Sequence, residues 1–197
     1  MLTEIKINQP LVSVNWLYRH KDATNLVVLD ATLKKVTSVS QERNAIKEQI
    51  VNARFMDLKN VFSIQNATFP NTILSPEKFE EVICKIGINK DTAVVAYDDY
   101  GIYSSARVWY LFKVMGYDNI AVLDGGLPEW KALGYTVELP NKYAISEGNF
   151  KSNYQNGLIF DCKDVLQSIA NDGIQIVDAR SSERFYAREP EPRKEVR

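Results

Sequence analysis

Apolar residues along this chain fall alternately into short continuous runs and helical stripes, and that alternation sets the expected elements. Residues Val14–His20 predict a short helix, and Leu26–Asp30 is an apolar run closed by an acid, the pattern of a buried strand. Residues 51–58 predict the entry of a second strand. Ser75-Pro76-Glu77 opens a helix with proline in its first turn, and Phe79, Val82, Ile83 and Ile86 share one face of it until Gly87 ends it. Residues 94–97 predict another buried strand. The next six, 98–103, form a loop in which Gly101 is free to take a positive φ, and Ser104 and Ser105 are placed to cap the helix that follows. A strand near 120 ends in Asp124-Gly125-Gly126 and leads into a helix carrying Trp130. Strands near 26, 94 and 120 that alternate with helices predict an α/β fold with a largely parallel central sheet and helices on both faces. Trp109, Phe112 and Trp130 are expected in its core.

The same pattern occurs twice. Leu17-Tyr18 precede Leu26-Val27-Val28-Leu29-Asp30-Ala31, and at an ungapped offset of 148 residues Val165-Leu166 precede Ile174-Gln175-Ile176-Val177-Asp178-Ala179. Both read helix, polar turn, strand, with an acid at the strand's carboxyl end, which indicates duplication. Pro140 and Gly148 among polar residues mark 140–154 as a linker. The first copy runs through its full set of strands. The second has nineteen residues left after Asp178, too few to build a covered sheet, so the expectation is a second copy cut short at Arg197.

The loop at 98–103 is where chemistry is expected. It runs into a helix N-terminus whose unpaired N–H groups point back at it, a ready-made cradle for an anion. Tyr97-Asp98, then Ser105-Ala106-Arg107-Val108-Trp109, then Val122-Leu123-Asp124-Gly125-Gly126 with Trp130 carry a family pattern over about forty residues. The chain resembles the two-domain sulfurtransferases, the rhodanese (thiosulfate sulfurtransferase) and 3-mercaptopyruvate sulfurtransferase family. The resemblance implies a rhodanese-like non-catalytic domain at 1–139, the linker at 140–154, and the beginning of a second rhodanese-like domain at 155–197. In that family sulfur rides as a persulfide on a cysteine at the start of the second domain's loop. The first domain carries Asp instead, as Asp98 does here, so the resemblance makes this loop structural and leaves this chain without a catalytic residue. The repeat offset puts the working loop roughly fifty residues beyond Arg197.

The tail Val177-Asp178-Ala179-Arg180-Ser181-Ser182-Glu183-Arg184 resembles the opening of the catalytic domain. The resemblance gives Arg184 the substrate anion, and Arg193, in Glu191-Pro192-Arg193, the carboxylate of a mercaptopyruvate-type donor. A guanidinium suits both, being permanently charged and bidentate. Two departures bear on the donor. Gln49-Ile50-Val51-Asn52-Ala53 stands where many members have His-Ile-Pro-Gly-Ala, and Asn71 stands where another histidine is frequent. The choice between thiosulfate and 3-mercaptopyruvate stays open, with a thiol or cyanide as acceptor.

Composition narrows the remaining classes. The chain of 197 residues is 45% hydrophobic and 25% charged with a formal net charge of -1, which gives no electrostatic case for nucleic acid or an anionic membrane. No apolar run reaches the length of a membrane span, and the N-terminus lacks a basic segment followed by an apolar one, so a cytoplasmic monomer is expected. No cofactor is implied. One histidine, His20, at the end of the first helix, makes a zinc site improbable. Cys84 and Cys162 have no CxxC spacing. Cys84 lies beside the apolar helix face and is read as packing. Cys162 sits at a helix N-terminus, which can activate a thiol, but Asp161 and Asp164 flank it and no glycine or hydroxyl surrounds it, so a surface thiol is expected. A phosphatase on a Cys-x5-Arg loop is excluded because the motif is absent. The alternative to a sulfurtransferase is a non-catalytic rhodanese-like module that binds a protein.

Overall fold

The computed structural model describes residues 4–34, 46–141 and 143–190. The chain divides into two units, one of residues 1–33 with 44–156 and one of 34–43 with 157–197. Along the first unit run β1 (Leu11–Val12), α1 (Val14–His20), β2 (Leu26–Asp30), β3 (Gln49–Ile50), β4 (Arg54–Phe55), α2 (Pro76–Lys85), β5 (Ala93–Tyr97), α3 (Ser105–Val114), β6 (Ile120–Leu123), α4 (Gly126–Ala132) and β7 (Val137–Glu138).

Five strands pair in the order β1-β6-β5-β2-β4, and every pairing between them is parallel. β3 and β7 form a separate antiparallel pair. Side chains alternate across the sheet. Ala93, Val95 and Tyr97 of β5 face one way, packing with Val14 and Leu17 of α1 and with Leu127 and Trp130 of α4. Val94 and Ala96 face the other way, where α3 lies against β5 and β6 and meets α2 through Phe79 and Phe112, ring centroids 5.6 Å apart. Helices on both faces leave β5 wholly buried, which is why its sequence shows no polar alternation.

Local chemistry sets the helix ends. Ser75 caps α2 by accepting the Lys78 N–H at 3.3 Å, and Pro76 occupies the first turn where no N–H is needed. Gly87, at φ +74°, ends it, and Arg54 Nη1 donates to the carbonyls of Ile86 at 2.7 Å and Gly87 at 3.0 Å.

Three expectations need correction. The strand expected within 51–58 is confined to the two residues of β4, because Asn52 adopts a left-handed conformation in the turn that precedes it. Trp109 is only half-buried, its ring lying under the Lys113 ammonium at 5.8 Å, because it projects from the outer side of α3. Residues 174–178 form no strand. β2, their counterpart in the first unit, lies between β5 and β4, whereas among the described residues of the second unit no strand is available to pair with them. Ile176 and Val177 are exposed there. A one-turn 3-10 segment at Asn156–Leu158 leads into the second unit, which otherwise holds α5 (Cys162–Ile169), closed at its start by a capping box between Asp161 and Asp164, and the short α6 (Ser182–Phe185).

Residues 148–155 carry no regular structure yet bind closely to the first unit. The Gly148 N–H donates to the Cys84 carbonyl at 2.8 Å, Phe150 N–H to Ile88 O at 3.1 Å, Asn153 N–H to Met115 O at 2.8 Å and Gln155 N–H to Val114 O at 2.8 Å. A Cβ on Gly148 would lie 2.0 Å from the Ile88 carbonyl oxygen, so only glycine lets the strap lie this close. Phe150 is fully buried, set edge-on among Phe79 and Phe112 and beside Tyr117. All three tryptophans of the chain lie in this unit, so their fluorescence follows it alone. Phe150→Ala is expected to lower the unit's stability by about 3–5 kcal/mol, read as a fall in the urea midpoint of tryptophan fluorescence. An unchanged midpoint would show that the strap contributes nothing.

Candidate functional site

In a parallel sheet, ligands collect outside the carboxyl ends of the strands where the chain turns outward in both directions. Here that point lies between β2 and β5, since β2 leads on to β4 at one side and β5 to β6 at the other. Asp30 ends β2, and Asp98 follows β5 directly.

Asp98 fills the cradle with its own carboxylate. Its Oδ2 accepts the N–H groups of Tyr103 at 2.8 Å, Ser104 at 2.9 Å and Ser105 at 2.9 Å, and the Ser105 hydroxyl at 2.7 Å; its Oδ1 accepts the Tyr100 N–H at 2.9 Å. The residue has no exposed surface. Burial pushes its acidity toward the neutral form, but the Ser105 hydroxyl and N–H, then the Tyr103 and Tyr100 N–H groups, outweigh that and hold the carboxyl below the usual aspartate range. The negative charge also sits at the positive end of the α3 dipole.

The capping expected of Ser104 and Ser105 is thereby taken over. Ser104 occupies the cap position without a side-chain cap, and its hydroxyl accepts the Leu33 N–H at 3.2 Å instead. A carboxylate is a stronger acceptor than a hydroxyl, and it captures the free N–H groups first. The Gly125-Gly126 pair has a matching reason. Gly126 adopts φ +55°, and a Cβ there would lie 2.5 Å from Asp98 O and 2.6 Å from Gly101 O. The Leu127 N–H then reaches the Asp98 carbonyl at 3.1 Å.

Beside the cradle stands a pair that pattern reading passed over. Lys47 Nζ lies 2.8 Å from Asp30 Oδ2, which is almost wholly buried, and 4.5 Å from the centroid of the Phe55 ring. Asp30 was legible as the acid closing a strand, but nothing local in sequence links it to a lysine seventeen residues on.

The other candidates lie apart from any such constellation. Cys84 is buried, its Sγ 3.6 Å from the Phe150 carbonyl, and burial pushes its thiol up, away from the reactive form. Cys162 is exposed in the first turn of α5. His20 stacks on Trp16 with ring centroids 4.2 Å apart, its Nδ1 2.7 Å from the Trp16 carbonyl, a packed helix end. In the second unit, Arg184 lies in α6, where its N–H donates to the Ser181 hydroxyl at 3.4 Å. Arg180 grips Asp178 through Nε and Nη2, which holds that carboxyl below the usual aspartate range. Arg193 lies outside the described residues. Among the described residues no group of three or more His, Cys, Asp or Glu could hold a metal ion, and no helix is long and apolar enough to cross a membrane.

The model of the rhodanese-like domain family matches residues 13–133, a span that contains β2, β5, β6 and the entire cradle. The chain belongs to the rhodanese-like family. It is 32% identical to thiosulfate/3-mercaptopyruvate sulfurtransferase 1, mitochondrial, of Arabidopsis thaliana, with 99% of this chain and 57% of that protein covered. It is 27% identical to the 3-mercaptopyruvate sulfurtransferase of Escherichia coli K12, over 94% of this chain and 66% of the relative. Among solved structures, the rhodanese fold of SseA from Escherichia coli superposes with a TM-score of 0.80 at 26% identity, covering 91% of this chain and 68% of that one. The rhodanese-like chain thus spans 57–66% of the length of these two curated relatives.

Asp98→Asn is expected to cost about 2–4 kcal/mol at pH 7, because an amide cannot serve as sole acceptor to donors gathered for a carboxylate. The sign with pH follows from the lowered pKa of Asp98. The Asp98 contribution is complete above the unfolded-state value of about 3.9 and is lost as pH falls through the lower folded value. Urea titrations across this range should therefore find the two proteins converging in acid and diverging toward neutrality.

Proposed function

We propose that this rhodanese-like chain serves a sulfurtransferase that moves sulfane sulfur from thiosulfate or 3-mercaptopyruvate to cyanide or a thiol through a cysteine persulfide. Its part would be the non-catalytic copy of a tandem pair together with the opening of the second copy. The observation that carries this proposal is the Asp98 carboxylate, held by five donors in the place where family members keep their sulfur-bearing cysteine. Such a cradle is matched to a small anion, whether carboxylate, thiolate or persulfide. In the complete reaction a thiolate takes the outer sulfur from the donor, releasing sulfite or pyruvate, and the acceptor then removes it and regenerates the thiolate. Arg184 and Arg193 would hold the donor anion. One relative's name carries both donors and the other's carries 3-mercaptopyruvate alone.

The 197 residues alone are expected to transfer no sulfur, because one cysteine is buried in packing and the other stands on an open helix turn. Thiocyanate formation from cyanide, assayed with each donor, tests this. Activity that persisted after replacing both Cys84 and Cys162 would sink the mechanism, and activity lost with Cys162→Ser alone would make that thiol the carrier. The cradle itself is tested by Asp98→Cys in a Cys162→Ser background. The introduced thiol should titrate below the free cysteine value of about 8.5 and alkylate faster than Cys84. A value at or above 8.5 would mean that the cradle does not favour anionic sulfur. A cytoplasmic monomer remains part of the proposal; fractionation and sedimentation test it, and one relative bears a mitochondrial name.

The second possibility, a protein-binding rhodanese-like module, draws on the exposed apolar residues of the second unit, Leu166 and Ile169 on α5 and Val177 beyond it. Limited proteolysis separates the two. Rapid loss of residues beyond Asn156 is expected for the opening of a sulfurtransferase domain, and resistance for a finished module.

A further inference from the structure

Asparagine followed by glycine occurs once in the chain, at Asn156-Gly157, the last residue of the first unit and the residue that follows it. Such a pair carries its own chemistry. The asparagine side chain sets an electrophilic amide carbon one ring closure away from the next main-chain nitrogen, and glycine has no Cβ to obstruct the approach. A fold blocks this reaction when it hydrogen-bonds the amide or holds the nitrogen in regular structure. Neither block is present at Asn156-Gly157.

Asn156 is exposed, and its side-chain amide makes no hydrogen bond among the described residues. Gly157 is the second residue of the 3-10 segment Asn156–Leu158, and the leading N–H groups of such a turn have no partner within it. No other described residue accepts the Gly157 N–H. The space around it is open, since a Cβ built on Gly157 would meet nothing within 4 Å. The segment is one turn long and buries no residue, so little opposes the local opening that ring closure needs.

Other positions lack this combination. At Asp172-Gly173 the Gly173 N–H is held by Asn171 Oδ1 at 2.9 Å, and a carboxylate is a far poorer electrophile than an amide. Asn25, Asn89 and Asn119 accept the main-chain N–H groups of Ile5, Asn149 and Ile7 through Oδ1, and none of them precedes glycine.

We infer that Asn156-Gly157 is a site of self-modification, where the chain converts its own asparagine into aspartate and isoaspartate. The Gly157 nitrogen gives its proton to solvent and attacks Asn156 Cγ. A C–N bond forms, the bond from Cγ to the side-chain nitrogen breaks, and ammonia leaves a succinimide ring behind. Water then opens the ring. Breaking the new bond at Cγ gives aspartate, and breaking the original peptide bond at the Asn156 main-chain carbonyl carbon gives isoaspartate. The balance is one water consumed and one ammonia released. Either product adds a negative charge to a chain of formal net charge -1. Isoaspartate also adds a carbon to the main chain, directly after the strap's last bond, from Gln155 N–H to Val114 O.

Incubation of the full chain in mildly alkaline buffer tests this, beside a free peptide of residues 152–161. Peptide mapping by mass spectrometry reads the change of amide to acid, and methyl labelling by an L-isoaspartyl methyltransferase reads isoaspartate. Residue 156 of the full chain should convert alongside the free peptide and ahead of every other asparagine. In Gly157→Ala, whose added methyl has open space, both signals should be lost over the same interval while the urea midpoint of tryptophan fluorescence stays unchanged. Asn156→Gln should lose them as well, because the larger ring closes more slowly. A residue 156 that remains an amide while the free peptide converts overturns the inference, and so does conversion undiminished in Gly157→Ala.

Discussion

The rest of the site depends on one buried charge. Asp98 has no surface open to solvent, and a bare carboxylate there would be untenable. It is stable because the chain turns four main-chain N–H groups and a hydroxyl onto it within eight residues, Asp98 to Ser105. That convergence dictates the surroundings. α3 must begin at Ser105 to aim its free N–H groups inward, and α4 must begin with glycines so that it can close against the loop's carbonyls. The parallel sheet then places the whole assembly at its carboxyl edge. A bound ion would impose the same geometry, but this ligand is covalently part of the loop and cannot leave.

The packing follows a different logic. One face of the sheet is sealed by α1 and α4, from near the two ends of the first unit. The other is completed by residues far along the chain, where Phe150 closes an aromatic cluster begun by Phe79 and Phe112. A core that recruits a glycine-enabled strap is finished only at Gln155. In the second unit the corresponding apolar residues are present but, among the described residues, without strands to cover them, and Leu166, Ile169 and Val177 are exposed.

How much of this could be read from sequence depended on whether the cause was local. The helices at Val14–His20 and Pro76–Lys85 were legible because each carries its own period and its own terminal residues. The buried strands β2 and β5 were legible as apolar runs, and Asp98 as the acid opening a loop before a helix. β1, β3 and β7 were not, because two residues make no period and their identity as strands comes from a distant partner. The strand expected at 174–178 had the right residues, yet strand is a property of a pair. The Lys47–Asp30 pair was hidden for a related reason. Tertiary contacts decide which acid meets a lysine, and neighbouring letters do not.

The strap has a mechanical consequence. Its hydrogen bonds run from Gly148 to Gln155 along the ends of α2 and α3, with the Lys151–Glu80 ion pair and Ser152 on Glu80 between them. A pull on the chain beyond Asn156 would load these bonds together, in shear, before any tension reached the sheet. The strap and its Phe150 anchor would thus bear the tension ahead of the sheet, and with it the cradle that follows β5.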